Sequence, residues 1–355
     1  MSGLEARIGV VRSNGFRVAA DISIAPGVTT ALLGPNGAGK STVVEAIAGL
    51  APIDAGRITL GDRVLDDAGD VFVAPEARRL GIVFQDLLLF DHLDVAANVA
   101  FGPRSRGVGR QDATARAREW LERLGIERMA AQKPADLSGG QAQLVALARA
   151  LATDPVMLLL DESLSALDVA ARTALRRTLG EHLEAFGGPR LLITHDPAEA
   201  FLLADEIHVI EEGEITQAGT PEEIRLHPRT PYAADLAGVN LIRGTARSGV
   251  VDTGSHSVHI ADDGIAGPVL LTIHPAAVAV HMDRPGGSPR NAWATTVIRV
   301  EPLGSRVRLL TGQPLPLTIE VTEASRSELA LEPGAAIWVA IKATEIKLQA
   351  AGDGL

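Results

Sequence analysis

"VTTALLGPNGAGKSTVVEAIAGL", Val28 to Leu50, begins as a β-branched, apolar run and ends with apolar residues at helical spacing. Val28 to Leu33 reads as a buried strand, and beyond Ser41 the residues Val44, Ile47 and Ala48 share one helix face. Between strand and helix lie Gly34, Pro35, Asn36, Gly37, Ala38, Gly39, Lys40 and Ser41, followed by Thr42. This is a phosphate-binding loop in strand–loop–helix context. Gly34, Gly37 and Gly39 let the backbone curl until successive N–H groups face one anion, and the helix start behind them adds partial positive charge. In such a loop Lys40 reaches the β- and γ-phosphates, and the Ser41 hydroxyl is a ligand for Mg2+. The fold class expected is an α/β P-loop NTPase.

A second stretch, "DPVMLLLDESLSALD", carries an all-apolar strand from Val156 to Leu160 that ends in Asp161 and Glu162. An acid at the end of a buried strand beside the phosphate loop can hold Mg2+, which is the place for Asp161. Glu162 is placed to polarise the attacking water as a general base. Alone, the two carboxylates could be a solvated turn; the phosphate loop decides between the readings. Further along, "LSGGQ" comprises Leu137, Ser138, Gly139, Gly140 and Gln141, and Leu144, Leu147, Ala148 and Leu151 then follow at i, i+3, i+4 and i+7. A helix is expected directly after the two glycines, giving a second anion-facing helix start, with Ser138 as hydroxyl donor.

Taken together, these motifs resemble an ATP-binding cassette (ABC) nucleotide-binding domain over residues 1–232, with a helical subdomain at about 86–150. The resemblance implies ATP and Mg2+ as cofactors and fills in further positions. Gln85, in "FQD", falls in the glutamine loop that senses Mg2+ and water, so Ser41, Gln85 and Asp161 form the implied metal set. Asp168, in "SALD", falls in the loop that crosses a dimer interface, and His195, in "LLITHD", at the switch-histidine position. The implied catalytic residues are therefore Glu162, His195 and Gln85, although a lone histidine at a strand end is more often just a polar cap. Phe16 either stacks on adenine or packs into the core, and both readings stand. One phosphate loop and one LSGGQ per chain imply a head-to-tail homodimer. Two positions depart from the family: Leu144 stands where Arg is usual, and Ser163 where Pro is usual.

Composition narrows the class. The 355 residues are 46% hydrophobic and 22% charged, enough for two globular domains, and their longest apolar runs are too short to span a bilayer. There is no cysteine, so disulfides and thiolate metal sites are excluded. A net charge of −11 and 3% aromatic residues argue against nucleic acid as a partner. A single cassette without membrane helices, with a linker after Gln85 too short for a coiled coil, implies the ATPase subunit of an importer. Its place is then the cytoplasmic side of the plasma membrane, bound to separate permease subunits and fed indirectly by a periplasmic or lipid-anchored binding protein. "LLLFDHLDVAANVAFG", Leu87 to Gly102, resembles the segment bordering the permease-docking groove.

After Tyr232 the pattern breaks into short β-like runs divided by Gly, Pro and Asp. Residues 233–287 read as a β-rich connecting segment. Residues 288–350 read as a small OB-like β-barrel of about five strands. Its start, Ser288-Pro289-Arg290-Asn291, and its end, Lys342-Ala343-Thr344, resemble the Mop fold (TOBE class), which binds molybdate or tungstate. A tetrahedral dianion needs hydroxyl and N–H donors plus fixed positive charge, which Ser288, Arg290, Asn291, Lys342 and Thr344 can supply. Residues 341–344 are read as part of the last strand, with Glu345 on the face opposite Thr344. The resemblance points to the ATPase subunits of molybdate importers. Importers of sulfate, ferric ion, polyamine or sugar with a generic regulatory tail are the alternative. An oxyanion-binding module whose cassette serves only regulation is a more distant one.

Overall fold

The computed structural model describes residues 3–162 and 179–351. The chain divides into two compact units, Met1–Pro221 and Glu222–Leu355.

The first unit is built on one ten-stranded sheet. Its strands are β1 (Leu4–Val11), β2 (Arg17–Ile24), β3 (Thr29–Leu33), β4 (Ala55–Leu60), β5 (Arg63–Asp66), β6 (Leu80–Val83), β7 (Met157–Asp161), β8 (Arg190–Ile193), β9 (Glu206–Glu211) and β10 (Glu214–Gly219). They lie in the order β5-β4-β1-β2-β10-β9-β3-β8-β7-β6. β1 and β2 alternate buried and exposed residues, as an antiparallel sheet with one wet face requires. All five residues of β3 and all four of β8 are buried, as parallel strands covered on both faces must be. β3 pairs in parallel with β8 and β9, β8 with β7, and β7 with β6.

Helix α1 (Lys40–Ala48) follows β3 and is buried almost all round: only Ser41 and Glu45 escape, because the helix sits inside the apolar cluster of β1, β2, β3 and β7. It stops at Gly49, whose φ of 78° is the left-handed cap that glycine adopts without strain. A side chain there would also collide with Arg78, since an added Cβ would lie 2.4 Å from Nε. Helices α2 (Val95–Ser105), α3 (Arg110–Arg123) and α4 (Gly139–Leu151) form a separate apolar cluster that also takes in β6, β7 and β8 residues.

In the second unit the residues after 233 make ten strands, five of them within 288–350 and five in the stretch before it. They are β11 (Asn240–Arg247), β12 (Val250–Asp252), β13 (Ser257–His259), β14 (Gly267–Ile273), β15 (Ala279–His281), β16 (Asn291–Leu303), β17 (Arg306–Thr311), β18 (Thr318–Thr322), β19 (Ala336–Ile341) and β20 (Ile346–Ala350). They form two five-stranded sheets, β13-β12-β11-β14-β20 and β15-β19-β16-β17-β18, around one core. The stretch 233–287 therefore contributes to that core: Ile242, Val251, Val269 and Leu271 pack with Trp293, Leu309 and Val339. Two asparagines tie one sheet to the other. Asn240 in β11 donates to Thr318 O at 2.8 Å and accepts from Thr318 N at 2.7 Å. Asn291 in β16 treats His259 in β13 the same way, at 2.8 and 2.7 Å.

The largest buried polar residue of the first unit is Arg78, 1% exposed. It donates to the carbonyls of Ala46 (2.7 Å), Ile47 (2.8 Å), Val73 (2.8 Å) and Leu65 (3.4 Å), and lies 4.0 Å from the Asp66 carboxylate. Burial pulls its pKa down, and Asp66 opposes that. Arg78→Met should destabilise the first unit by about 3–5 kcal/mol, because the buried carboxylate and carbonyls lose their donor. Scanning calorimetry would register this as a lowered transition for that unit, with the second unit's transition unmoved.

Candidate functional site

Four neighbouring parallel strands, β3, β8, β7 and β6, end at the same edge of the sheet, and each is followed by a residue expected to carry chemistry. β3 delivers the loop Gly34–Gly39, β8 delivers His195, β7 delivers Asp161 and Glu162, and β6 delivers Gln85. This carboxyl edge is where open α/β sheets bind ligands.

The phosphate loop is shaped by close backbone approach. A Cβ on Gly34 would lie 2.2 Å from the carbonyl oxygen of Ile210, and Gly37 and Gly39 have φ of 79° and 109°. Pro35, Asn36 and Gly37 are exposed while Ala38 is buried, its carbonyl accepting from Gly213 N at 3.0 Å. Lys40, 8% exposed, curls over the loop and donates from Nζ to the carbonyls of Gly34 (2.7 Å) and Pro35 (3.0 Å). Burial lowers its pKa, and Glu162 and Asp161 oppose the shift. Ser41 is exposed; Thr42 is buried, and its hydroxyl accepts from Arg12 Nε (2.9 Å) and Nη2 (2.7 Å). Phe16 is half-buried against the core, its ring 3.6 Å from where a Gly39 side chain would start.

Asp161 closes β7 opposite Ile193, and Glu162 N donates to the Ile193 carbonyl at 2.9 Å. Glu162 itself is left-handed, with φ of 45°, a conformation that costs a non-glycine residue about 1–3 kcal/mol. That turn brings its carboxylate to 3.5 Å from His195 Nδ1. His195 is exposed between Thr194 and Asp196; Thr194 is bonded to Glu199 at 2.6 Å, and Asp196 caps the helix Pro197–Leu203 through Ala198 N at 2.9 Å. Burial raises the Asp161 pKa, Glu162 adds to the rise, and Lys40 opposes it.

Ser138–Gln141 opens α4, but the helix begins at Gly139 rather than after the glycine pair. Ser138 is its N-cap: its hydroxyl oxygen accepts from Gln141 N at 3.4 Å while Gln141 Oε1 accepts from Ser138 N at 2.9 Å. Ser138 and Gly139 are exposed, and Gly140 and Gln141 half-buried. Gln85 is exposed on the turn after β6. Two polar residues on helix faces hold the chain beyond it. Asn98 of α2, 0% exposed, binds Phe90 N (2.8 Å) and the carbonyls of Phe90, Leu93 and Asp94. Arg149 of α4 donates to the carbonyls of Leu87 and Leu88, each at 2.6 Å. Asp168 and Ser163 lie outside the described residues.

Against these geometries, comparison with known proteins is direct. Residues 19–165 match the ABC transporter family model and residues 287–348 the TOBE domain model. The chain is 43% identical to the molybdenum import ATP-binding protein ModC of Mycobacterium tuberculosis, over 94% of this chain and 95% of that protein. The chain belongs to the ABC transporter ATP-binding family. The Fe(3+) ions import ATP-binding protein FbpC of Streptomyces avermitilis is 40% identical over 78% of this chain and 79% of its own length. Among solved structures, cbiO1 of Clostridium perfringens, part of the ABC transporter complex cbiONQ, aligns with a TM-score of 0.56 at 29% identity, covering 63% of this chain and 90% of its own. A dimeric ATP-binding cassette, MJ0796, bound to ADP and Pi in a post-hydrolysis state, aligns with a TM-score of 0.54 at 27% identity over 62% of this chain and 98% of its own.

In the cassette's tail the two oxyanion-like stretches do become neighbours. Asn291 pairs with Ile341 across β16 and β19, so Pro289–Arg290 and Lys342–Ala343 leave the sheet side by side. Ser288, Arg290, Lys342 and Thr344 are exposed. Asn291 differs: it is 2% exposed, and both amide protons are used, on His259 O and, at 3.4 Å, on Ile341 O. The reading of 341–344 as strand is corrected: Ala343–Glu345 is a 3-10 turn where the chain leaves β19 for β20 in the other sheet, so strand alternation does not place Glu345. Arg12, Asn98, Asn240 and Arg149 escaped sequence reading. Asn98 alone left a signal, as a single polar residue inside "VAANVAF".

The raised Asp161 pKa has a thermodynamic sign. The folded state disfavours the ionised carboxylate, so the cost is absent at pH values below the carboxylate range and present above it. Asp161→Asn should therefore raise the melting temperature of the first unit at about pH 8, with the gain vanishing by about pH 4. A gain that is equal at both pH values, or absent at pH 8, would contradict the desolvation account.

Proposed function

We propose that this chain is the ATP-hydrolysing subunit of a molybdate importer, acting as a head-to-tail homodimer beneath separate permease subunits on the cytoplasmic side of the membrane. The observation that carries the ATPase reading is the convergence of Gly34–Ser41, Asp161, Glu162, His195 and Gln85 at one edge of four adjacent strands. ATP's phosphates take the place of the carbonyls that Lys40 now binds, where loop N–H groups and the start of α1 add positive potential. Mg2+ suits the donors: the Ser41 hydroxyl, Gln85 and the Asp161 carboxylate are hard oxygen ligands, and a cation offsets the like charge of Glu162 beside desolvated Asp161. Such an ion supplies charge neutralisation to the β- and γ-phosphates. Glu162 accepts a proton from the attacking water, and His195 at 3.5 Å orients that carboxylate.

Ser138–Gln141 supplies a second, outward-facing anion site at the start of a different helix, supported by a different core from α1. Reciprocal pairing of two copies lets each outward site close on the other's ATP. Gln141 then fixes the Ser138 backbone, and Gly139 and Gly140 allow close approach. Leu88 and Phe101, 56% and 45% exposed, the latter against the Phe90 ring, offer apolar surface for a permease helix. No helix of the described residues is long and apolar enough to cross a membrane, which fits separate permease subunits. One variant tests the engine. Glu162→Gln should bind ATP, form the dimer, and hydrolyse at least about a hundredfold more slowly. Near-normal turnover would remove Glu162 from the base role.

Molybdate rests on the similarity that covers nearly the whole chain and on the adjacency of Arg290 and Lys342, two fixed charges beside the Ser288 and Thr344 hydroxyls. Calorimetry of the full chain without nucleotide should give binding heat with molybdate that Arg290→Ala and Lys342→Ala weaken at least about tenfold. Heat with sulfate but not molybdate, or with neither these nor tungstate, would favour an importer of another substrate carrying a generic tail.

A further inference from the structure

Helix α4 is a rod of 13 residues, about 20 Å long at 1.5 Å per residue. Its first turn carries Ser138–Gln141, and near its other end Arg149 reaches the chain just beyond Gln85. We propose that Arg149 is a positioning residue that locks the Gln85 loop to the LSGGQ helix, so that one chain's two nucleotide-contacting elements move as a single body. The inference rests on the reading of Gln85 and Ser138–Gln141 given above.

The contact has the features of a latch rather than of a surface side chain. The guanidinium fork spans two successive carbonyls, Leu87 from Nη2 and Leu88 from Nη1, at 2.6 Å each, one nitrogen to each carbonyl. Both leucines are left-handed, with φ of 56° and 48°, a conformation side-chain-bearing residues rarely adopt twice in succession. It turns both carbonyls toward α4. Phe90 lies under the guanidinium, 5.6 Å from its carbon, and is itself fixed by Asn98. No ion pair of Arg149 is found among the described residues, and its charge meets two loop carbonyls and the Phe90 ring. Burial lowers its pKa, as expected for a cation held among carbonyls and a ring. Leu87 packs into the helical core while Leu88 stays exposed, so the loop is anchored on one side and free on the other.

The test is a double-mutant cycle in ATP turnover by the full chain, with Gln85→Ala, Arg149→Ala, Arg149→Lys and the Gln85→Ala/Arg149→Ala pair. Arg149→Ala should lower kcat about tenfold and leave KM for ATP within about twofold, since the phosphate loop is untouched. Arg149→Lys should recover part of kcat. In the Gln85→Ala background the Arg149→Ala change should cost less than about twofold more, because both changes disable one device. An equal fold-loss in both backgrounds would mean that Arg149 only supports packing, and would overturn the proposal. So would wild-type kcat in Arg149→Ala alongside a slow Gln85→Ala, which leaves the glutamine-loop reading intact. Wild-type kcat in Gln85→Ala would sink that reading and the proposal with it. Should Arg149→Ala fail to fold, Arg149→Gln serves in the same cycle.

Discussion

Parallel pairing of β3, β8, β7 and β6 is the constraint on which the remaining arrangement depends. In a parallel sheet the carboxyl ends of neighbouring strands lie together, so residues 155 positions apart, Lys40 and His195, reach one edge without any long-range recognition between them. The strands that impose this are deeply buried, with every residue of β3 and β8 out of water. Burial of their Leu and Ile side chains, each contributing about 1.5–3 kcal/mol, fixes the sheet, and the sheet fixes the edge. Loops at that edge can then be costly in themselves, because they do not have to hold the fold together.

They are costly. Lys40 and Asp161 are both pushed by burial toward their neutral forms, and Glu162 sits in a left-handed turn. Each of these is a local rule broken where ligand charge or substrate water has to be met, and the compensation lies in the neighbouring core. The Arg12–Thr42–Glu45 contacts are of the ordinary kind: hydrogen bonds that tie α1 to the chain just after β1.

How much of this was legible in the sequence follows from how local each signal is. The phosphate loop, the acidic pair and LSGGQ declare themselves because strand, glycines and helix are contiguous, and the structure brings the first two to one edge. The tail was harder. β12, β13 and β15 have three residues each, too short for alternation to register, so 233–287 reads as a connecting segment although it carries five strands of the core. "IKATEIKL" alternates well enough to look like one strand, yet the chain switches sheets within it, a property of topology and not of pattern. Arg149 looks like a polar position on an amphipathic helix; its two carbonyl partners lie some sixty residues earlier, in a loop whose left-handed turns no residue type announces. Asn291 matched a ligand motif by identity, while its burial commits it to β13.

Asn291 and Asn240 share one further property. Each carboxamide meets both the N–H and the C=O of a single residue in the opposite sheet, imitating the edge of a β-strand with a side chain. Conservative exchange is therefore a poor guide to tolerance at these two places. Aspartate differs from asparagine by one group, yet it would set a second acceptor against the carbonyl of His259 or Thr318 and bring an unpaired charge into the seam. The joint between the two sheets thus depends on one amide nitrogen at each place, and shape alone does not secure it.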